Sequence, residues 1–584
     1  MLTVNYYNDF FEIGQQKINF SFYELSLPDD DPVYTLKKVM EDLDFSGLLA
    51  NCSDKGRTGY NPIMMYAVIT YANMRGIRSI DRIVDLCERD IAFIWLTQGR
   101  KPKRDAFYDF KGKKLTSDIL DDLNYQFMRR LKREGFVTLK ELFIDGTKIE
   151  ANANRYTFVW RGSINYHLAG LLDSIDKLYS DYNSFLQDNS FGEKYELGNA
   201  QMFVIDGIDK VRDIIEKNRK RKITKHKKLS NNRIIEIDNC SPIEILKLQK
   251  NLMVIADGEG IVFVNGKGKR KPKLQQLYEE LEHCGQRLMN YKECFEIMGK
   301  DRNSYSKTDL EATFMRMKED HMLNGQLKPA YNVQIAVENY FIVHSYVSND
   351  RTDYNTLIPV LEKHKKAFGE VLEEVTADSG YCSEKNLLYL KENQIDSYIK
   401  LQDHEKRKTR AYSKDIGKYY NMKTTVFEDE QVYICHDGRE LRHINTEKKE
   451  QDGYTQTYEV YGCSDCSGCE HKSKCLYKYN PDKDIDKNKV MKINEVWEEL
   501  REKSHANIQS EKGILKRQTR SIQTEGHFGD IKENEDFRRF NYRTSDKVYK
   551  EFMLFAIGRN INKYHRFLYA KLKKFEGKLQ EKTA

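Results

Sequence analysis

The chain has 584 residues, of which 39% are hydrophobic and 12% aromatic, and this length predicts three or four structural units rather than one hydrophobic core. Its 97 basic and 90 acidic residues leave a net charge of +7, an excess too small to establish a polyanionic partner by itself. No segment approaches the roughly 18 consecutive apolar residues that cross a bilayer. The N-terminus also lacks the features of a signal peptide, so we expect a cytoplasmic protein without membrane contact.

The first part of the chain, residues 1–130, is expected to be helical. Pro62 and Gly76 bound one apolar segment, and Ser79 can cap the helix that follows it. Two short helices joined in this way fit either a DNA-reading helix-turn-helix unit or an ordinary helical hairpin. The sequence leaves both interpretations open.

The character of the chain changes at residues 139–149. There a short apolar run ends in Asp145 and Gly146, a pattern that predicts a buried strand with a carboxylate at its edge. Residues 160–300 are then polar and predict a mostly helical insertion. Basic clusters at 217–228 and 267–273 can either neutralise phosphates or form solvated surface.

Strands and helices alternate in the next segment. Glu338 and Asn339 predict a two-residue β-hairpin connection, and Ser383 can cap a helix after Asp378. Together with the strand at 139–149, this alternation predicts an α/β or α+β core. The predicted elements are strands at 331–337 and 340–347, a helix at 353–368, a strand ending at Asp378, a helix to residue 393 and a strand at 395–401.

A second insertion is predicted at residues 410–490, where strand-like segments surround a cluster of cysteines. Cys463, Cys466, Cys469 and Cys475 form the pattern C-x2-C-x2-C-x5-C. Closely spaced thiolates are typical of a structural Zn²⁺ site. Free thiols and an iron–sulfur cluster are the alternatives, although Leu476 stands where the iron–sulfur pattern has Pro. Further ligands could come from Cys435, His436 and His471.

Three acidic residues are candidates for phosphodiester chemistry. Two-metal catalysis needs carboxylates that converge on ions about 3.5–4 Å apart, and Mg²⁺ prefers oxygen ligands. Asp145 and Asp378 each follow a predicted strand, where a turn-forming role is the alternative. Glu525 lies in a predicted helix that would place Glu525, Phe528 and Lys532 on one side. Lys532 could then bind a phosphate, and further cations nearby are Arg517, Arg520, Arg538, Arg539 and Arg543.

Five segments, taken in order, resemble the DDE transposases of bacterial insertion sequences. FIDGTKIEANANRY (143–156) resembles the strand with the first Asp, and VTADSGYCSEKN (375–386) the segment with the second. EGHFGDIKENEDFRRFNYR (525–543) resembles the helix with the final Glu. YNVQIAV (331–337) resembles a strand between the two Asp residues, and residues 56–83 resemble the N-terminal helical domain of the same group.

This resemblance implies a ribonuclease H-like mixed sheet flanked by helices, with Asp145, Asp378 and Glu525 as ligands of Mg²⁺ or Mn²⁺. Lys532 matches the family's Glu-x6-Lys spacing and would bind DNA. The family places a Tyr and an Arg seven and four residues before the Glu, where this chain has Gln518 and Ser521. Arg520 or Arg517 would take over those roles, and whether cleavage passes through a DNA hairpin stays open.

The function implied is metal-dependent cleavage and strand transfer at the terminal inverted repeats of a mobile element, by a homodimer on double-stranded DNA at the bacterial nucleoid. A nuclease without strand transfer and a non-catalytic DNA-binding descendant are the alternatives. The implied units are an N-terminal DNA-binding domain at 1–130, a catalytic domain from 131–159, 301–409 and 491–575, a helical insertion at 160–300, and a β-rich insertion at 410–490.

Overall fold

A computed structural model gives the fold of most of the chain. Among the residues it describes, every helix is too short or too polar to cross a membrane. The basic cluster at 217–228 and the first residue of the cluster at 267–273 lie outside the described residues. These are 18–20, 23–25, 27–52, 59–200, 242–266, 268–299, 302–317, 325–369, 372–427, 430–451, 454–481, 484 and 486–583.

The N-terminal segment is helical after a short antiparallel ribbon, which departs from the all-helical prediction. Asn61 accepts hydrogen bonds from the amides of Ile63 and Met64 where a helix begins at Pro62, and Ser79 caps the next helix as predicted. The elements are β1 (Ile18–Phe20), β2 (Tyr23–Leu25), α1 (Pro32–Met40), α2 (Ser46–Ala50), α3 (Pro62–Met74), α4 (Ile80–Arg89), α5 (Ile91–Thr97), α6 (Arg104–Asp109), a π-helical turn (Phe110–Lys114) and α7 (Ser117–Arg133).

Helix α3 is buried along its whole length. All 13 of its residues are inaccessible to solvent, and it packs against the long C-terminal helix. A helix that is apolar all round belongs to the interior of a protein. The α3–α4 pair is therefore a helical hairpin anchored in the core, which is one of the two arrangements that the sequence allowed.

The strand predicted at residues 139–149 is β3 (Glu141–Glu150), and a mostly helical segment follows it, as expected. Its helices pack around their own core, which includes Leu172, Leu252 and Leu281. A two-stranded antiparallel ribbon of β4 and β5 lies where this segment leaves and rejoins the sheet. The elements are β4 (Phe158–Trp160), α8 (Arg161–Asp188), α9 (Phe191–Lys194), α10 (Pro242–Glu259), α11 (Lys273–Met298) and β5 (Ser304–Ser306).

Strand β3 forms the centre of a mixed sheet. On one side it pairs antiparallel with β7, which also pairs with β6 and β8. On the other side β9 runs parallel to β3, and β10 runs parallel to β9. This topology confirms the predicted mixed α/β fold. The elements are β6 (Thr313–Arg316), β7 (Leu327–Glu338), β8 (Phe341–Ser348), α12 (Leu357–Phe368), β9 (Glu374–Ala377), α13 (Glu384–Glu392) and β10 (Asp396–Ile399).

The hairpin between β7 and β8 has a two-residue loop, one position later than predicted. Asn339 and Tyr340 have φ angles of 45° and 67°, the left-handed pair that a type I′ turn requires. Glu338 stays in the strand because its carboxylate accepts hydrogen bonds from the amides of Thr138 and Leu139. The prediction that Glu338 forms the loop was therefore wrong by one residue.

The second insertion contains a five-stranded antiparallel sheet in the order β11 to β15, and β12 and β14 match the strands predicted around the cysteines. Its longest pairing joins β13 to β14. The elements are α14 (His404–Arg407), α15 (Arg410–Ser413), β11 (Lys423–Phe427), β12 (Glu430–Ile434), β13 (Glu440–Gln451), β14 (Tyr454–Cys463), α16 (Lys472–Cys475) and β15 (Val490–Ile493).

The remainder of the chain is helical, as predicted, and covers one face of the mixed sheet. Val333 and Ile335 on that face pack with Phe528 and Phe552. The opposite face packs directly on the N-terminal helices, so both regions share one hydrophobic core. The elements are α17 (Glu495–Gln509), α18 (Glu511–Arg520), a π-helical turn (Ser521–Glu525), α19 (Gly526–Gly529), a second π-helical turn (Asp530–Asn534) and α20 (Ser545–Thr583).

Candidate active site

Asp145 and Asp378 lie side by side on neighbouring parallel strands. Ile144 of β3 pairs with Ala377, the last residue of β9, and each Asp directly follows one member of this pair. Because adjacent strands are about 4.8 Å apart, the two carboxylates belong to one small region of the sheet. The structure thus brings together two of the three acids that the sequence singled out.

The carboxylate of Asp145 is held in place before any substrate arrives. Its side chain is only 8% exposed. Oδ1 accepts a hydrogen bond from the amide of Gly146 at 2.8 Å, and Oδ2 accepts from Arg520 at 3.0 Å and from the Thr524 hydroxyl at 3.1 Å. These donors stabilise the charged form and fix its direction.

Glu525 is joined to Asp145 through the same arginine. Nη2 of Arg520 donates to Oε1 of Glu525 at 3.1 Å, and the Ser521 hydroxyl donates to Oε2 at 2.9 Å. Arg520 and Glu525 are five residues apart, which in an α-helix would separate them by about 140° around the axis. The π-helical turn over Ser521–Glu525 brings them onto one side. Such turns occur often at functional sites.

A fourth acid, Asp353, lies beside Asp378 and was not predicted. The turn that begins at Asp378 passes close to both carboxylates. A Cβ on Gly380 would lie 2.9 Å from Oδ1 of Asp378 and 3.1 Å from Oδ2 of Asp353. The other oxygen of Asp353 accepts hydrogen bonds from the side-chain amides of Asn332 and Gln334. Asp353 lies in a loop rather than at a strand end, so the strand patterns of the sequence could not indicate it. The signal that could have indicated it is the pair of polar residues Asn332 and Gln334 within an otherwise apolar strand.

Three of these acids act on the buried hydroxyl of Tyr381. Burial and then the charges of Asp353, Asp145 and Asp378 raise the pKa of the Tyr381 hydroxyl well above its usual value, and the nearby Arg520 opposes that shift. The Tyr381 hydroxyl therefore stays protonated and donates to the side chain of Gln334. This hydrogen bond ties the turn after Asp378 to the centre of the sheet.

The donor chemistry of this cluster fits a hard divalent cation, because carboxylate oxygens are the ligands that Mg²⁺ and Mn²⁺ prefer. In the described part of the chain, however, no group of three or more acidic, histidine or cysteine side chains is already arranged to hold a metal ion. At Asp145 and Glu525 the guanidinium of Arg520 lies between the two carboxylates.

The remaining cations predicted to bind DNA lie in different surroundings. Lys532 is buried, and so is Phe528, whereas Glu525 is 57% exposed, so the three do not share one face as predicted. The Nε atom of Arg517 is also buried, without a hydrogen-bond partner in the described residues. The exposed cations are Arg538, Arg539 and Arg543.

These three exposed arginines line the far end of β3. The amide of Glu150 donates to the carbonyl of Arg538, and Arg543 donates to the carbonyl of Asn152. From Asp145 to Glu150 the strand rises about 17 Å, at about 3.4 Å for each residue. A cationic surface therefore lies on the order of five nucleotide steps from the acids, since one DNA strand rises about 3.4 Å per step.

The four predicted cysteine ligands all lie in the second insertion, but among the described residues they are not arranged to hold a metal ion. Every cysteine in the described residues is a free thiol. The thiol of Cys466 lies beside that of Cys463, and burial is the main cause that raises the pKa of Cys463 to about 11. Burial also raises the pKa of Cys475, and Cys435, Cys466 and Cys469 raise it further when they are ionised. The rings of His436 and His471 stack edge to face at 4.6 Å.

Acid is expected to destabilise the protein through His527, two residues after Glu525. Burial and then the charge of Arg559 lower its pKa from 6.5 to about 4, and its Nε2 lies 3.0 Å from the carbonyl of Tyr340. The folded protein thus binds fewer protons than the unfolded chain between about pH 6.5 and 4, and the free energy of unfolding falls as the pH falls through this window.

At pH 5 this loss is about 2 kcal/mol for a pKa that drops from 6.5 to about 4. The variant His527→Gln keeps a donor for Tyr340 but cannot be protonated, so its free energy of unfolding should decline less between pH 7 and pH 5. Urea denaturation at the two pH values measures the difference. The same decline in both proteins would show that His527 is not the titrating group.

Comparisons with known proteins agree with this geometry. Residues 434–565 match the family model described as "Transposase DDE domain", and residues 21–113 match "Transposase domain (DUF772)". No curated protein matches the chain, and no solved structure matches it. The two matches are consistent with a DDE transposase of insertion sequences, and with a mixed sheet of the ribonuclease H-like kind. The first match includes Glu525, whereas Asp145 and Asp378 lie outside both.

Proposed function

We propose that the protein is a transposase that cuts DNA at the terminal inverted repeats of an insertion sequence and joins the free ends to target DNA. The observation that supports this most is the convergence of the acids. Asp145 and Asp378 follow paired residues of neighbouring strands, and Glu525 is joined to Asp145 through Arg520. Two carboxylates on neighbouring strands, with a third linked to one of them through an arginine, suit phosphodiester chemistry with divalent ions.

In this proposal Asp145 binds both of two divalent ions, and Asp378 and Glu525 bind one each. The ions, when bound, activate the attacking oxygen and stabilise the leaving oxygen. The chain itself contributes rigidity: Thr524 and the Gly146 amide orient Asp145. Arg520 replaces the family's arginine four residues before the Glu, since the π-helical turn adds one residue to the spacing.

We further propose that Arg539 and Arg543 bind phosphates beyond the cleavage site, about 17 Å from Asp145 along β3. Each contact of this kind releases counterions from the DNA. Replacing either arginine by Gln should therefore make the logarithm of the association constant fall less steeply with the logarithm of the salt concentration, by about 1 in the slope. Fluorescence anisotropy on a duplex, at several salt concentrations, measures this slope. An unrelated duplex should give the same change, and unchanged slopes would remove the two residues from the DNA surface.

The activity is tested with a labelled duplex that ends in the element's inverted repeat, together with a supercoiled target plasmid. Mg²⁺-dependent nicking at the repeat end, followed by covalent joining of the labelled strand to the plasmid, is the expected result. Nicking without joining would favour a nuclease on the same fold. Binding without nicking would favour a DNA-binding descendant of a transposase. Cross-linking in the presence of two repeat ends tests the proposed homodimer.

A structural Zn²⁺ ion at Cys463, Cys466, Cys469 and Cys475 is a separate proposal, supported by the close spacing of the four cysteines along the chain. Replacing Cys466 by Ser should lower the zinc content of the purified protein and reduce the melting temperature. Cys294→Ser, in the helical insertion, is the matched control. Wild-type protein without zinc or iron would contradict the proposal, and iron with visible absorption would identify a cluster instead.

A further inference from the structure

The contacts around Arg520 carry an inference that rests on the proposed function and deepens it. The two acids that Arg520 joins have all four carboxylate oxygens engaged. Oδ1 and Oδ2 of Asp145 accept from Gly146 and from Arg520 and Thr524, and Oε1 and Oε2 of Glu525 accept from Arg520 and Ser521. Arg520 is the one charged donor among these groups.

We propose that Arg520 holds the place of a divalent ion between Asp145 and Glu525, so that ion binding and release of the guanidinium are one event. Two carboxylates that face each other repel unless a cation lies between them. In the structure that cation is the guanidinium, which is 15% exposed. The arginine thus keeps the acids in position before the ion arrives.

The arginine and the ion cannot occupy this place together. Mg²⁺ lies about 2.0–2.1 Å from its ligands, so a single ion needs the two carboxylate oxygens within about 4.2 Å of each other. Arg520 instead spans them with two different nitrogens, at 3.0 and 3.1 Å. The guanidinium occupies the space between the two oxygens and its positive charge repels an ion there, so an ion that joins the two carboxylates must displace it.

The surroundings allow the guanidinium of Arg520 to be replaced by an ion at the Glu525 side of the contact that joins Asp145 to Glu525. Glu525 is 57% exposed and Asp145 only 8%, so the bridge opens towards solvent at Glu525 while Thr524 keeps Asp145 in place. A released guanidinium pairs well with a DNA phosphate, which accepts two parallel hydrogen bonds from it. DNA and the divalent ion should therefore strengthen each other's binding, as reciprocal coupling requires.

The test compares wild type with Arg520→Gln and Arg520→Lys as full-length proteins. Melting temperatures are measured against the concentration of Mg²⁺ and of Ca²⁺, which requires no catalysis. Without metal, Arg520→Gln should melt below wild type. When metal is added, the melting temperature of Arg520→Gln should rise at a metal concentration at least tenfold lower than for wild type. Arg520→Lys has a shorter reach between the two acids, so its melting temperature should rise at an intermediate concentration. Lys503→Gln, which changes an exposed lysine of α17 outside the site, is the control and should match wild type.

Three results bear on the inference. Equal metal midpoints for wild type and Arg520→Gln, with metal-dependent cleavage intact in wild type, would overturn it and leave the proposed function standing. No response to metal in any of these proteins, together with no cleavage by wild type, would overturn both. The exchange is supported if the metal concentration at the midpoint of the melting-temperature change is lower for Arg520→Gln than for wild type, and if the double variant with Asp145→Asn shows no such change. This holds even if Arg520→Gln cleaves poorly.

Discussion

Replacing Asp145 by Asn should abolish metal-dependent cleavage at the element's end while DNA binding stays intact. The amide keeps the size of the side chain and can still accept from Arg520 and Thr524, but it loses the charge that holds divalent ions. A loss of about 4 kcal/mol of transition-state stabilisation corresponds to a rate lower by about 10³-fold. Single-turnover nicking of a labelled duplex in Mg²⁺ measures the rate.

Asp378→Asn and Glu525→Gln should have effects of similar size, because each removes one carboxylate from the same cluster. Glu511→Gln changes an exposed acid at the start of α18 and is the matched control, with an expected rate close to that of wild type. Cleavage by Asp145→Asn within tenfold of the wild-type rate would remove Asp145 from the site. Anisotropy on the same duplex checks that binding is kept.

The strands that hold the two Asp residues could be predicted because their signals are local. A short apolar run that ends in an acid marks a buried strand, and Asp145 and Asp378 each end such a run. The prediction that Asp145 lies at the edge of its strand was wrong, because β3 continues to Glu150. The parallel register that brings Asp145 beside Asp378 could not be read locally, since it depends on pairing between strands more than 200 residues apart.

The position of Arg520 between Asp145 and Glu525 was harder to predict. An α-helical spacing puts Arg520 and Glu525 on different sides, and only the π-helical turn corrects this. The side-chain pattern of a single sequence does not indicate where a π-helical turn occurs. The same limit explains Lys532, which was expected on the same side of the helix as Glu525 and instead is buried within the second π-helical turn.

The relation of the N-terminal helices to the sheet also depended on tertiary packing, although one signal was present. The segment PIMMYAVITYANM has apolar residues on every side, which is typical of a helix enclosed by others. Its length and the neighbouring helix fitted either a DNA-reading helix-turn-helix unit or an ordinary helical hairpin. In the structure this helix, α3, packs against α20 in the core that also covers one face of the sheet.

Replacing Gly558 by Ala should therefore destabilise the whole molecule, because this residue is the point of closest approach between α20 and α3. A Cβ on Gly558 would lie 2.8 Å from the carbonyl carbon of Asn73 and from the amide nitrogen of Met74, both backbone atoms. The helices would have to separate, at a cost of about 2–3 kcal/mol. At about 2.1 cal/mol/K of unfolding entropy for each residue, this cost lowers the melting temperature by roughly 2 °C if the whole chain unfolds as one unit.

The control is Gly170→Ala in α8, where a Cβ meets no atom within 4 Å, and where Ala should stabilise the helix by up to about 1 kcal/mol. Differential scanning calorimetry on both variants separates two arrangements. If the N-terminal helices and the sheet share one core, Gly558→Ala shifts the transition that unfolds both. If the N-terminal helices formed an independent domain, that transition alone would move, and the transition of the sheet would stay at its wild-type temperature.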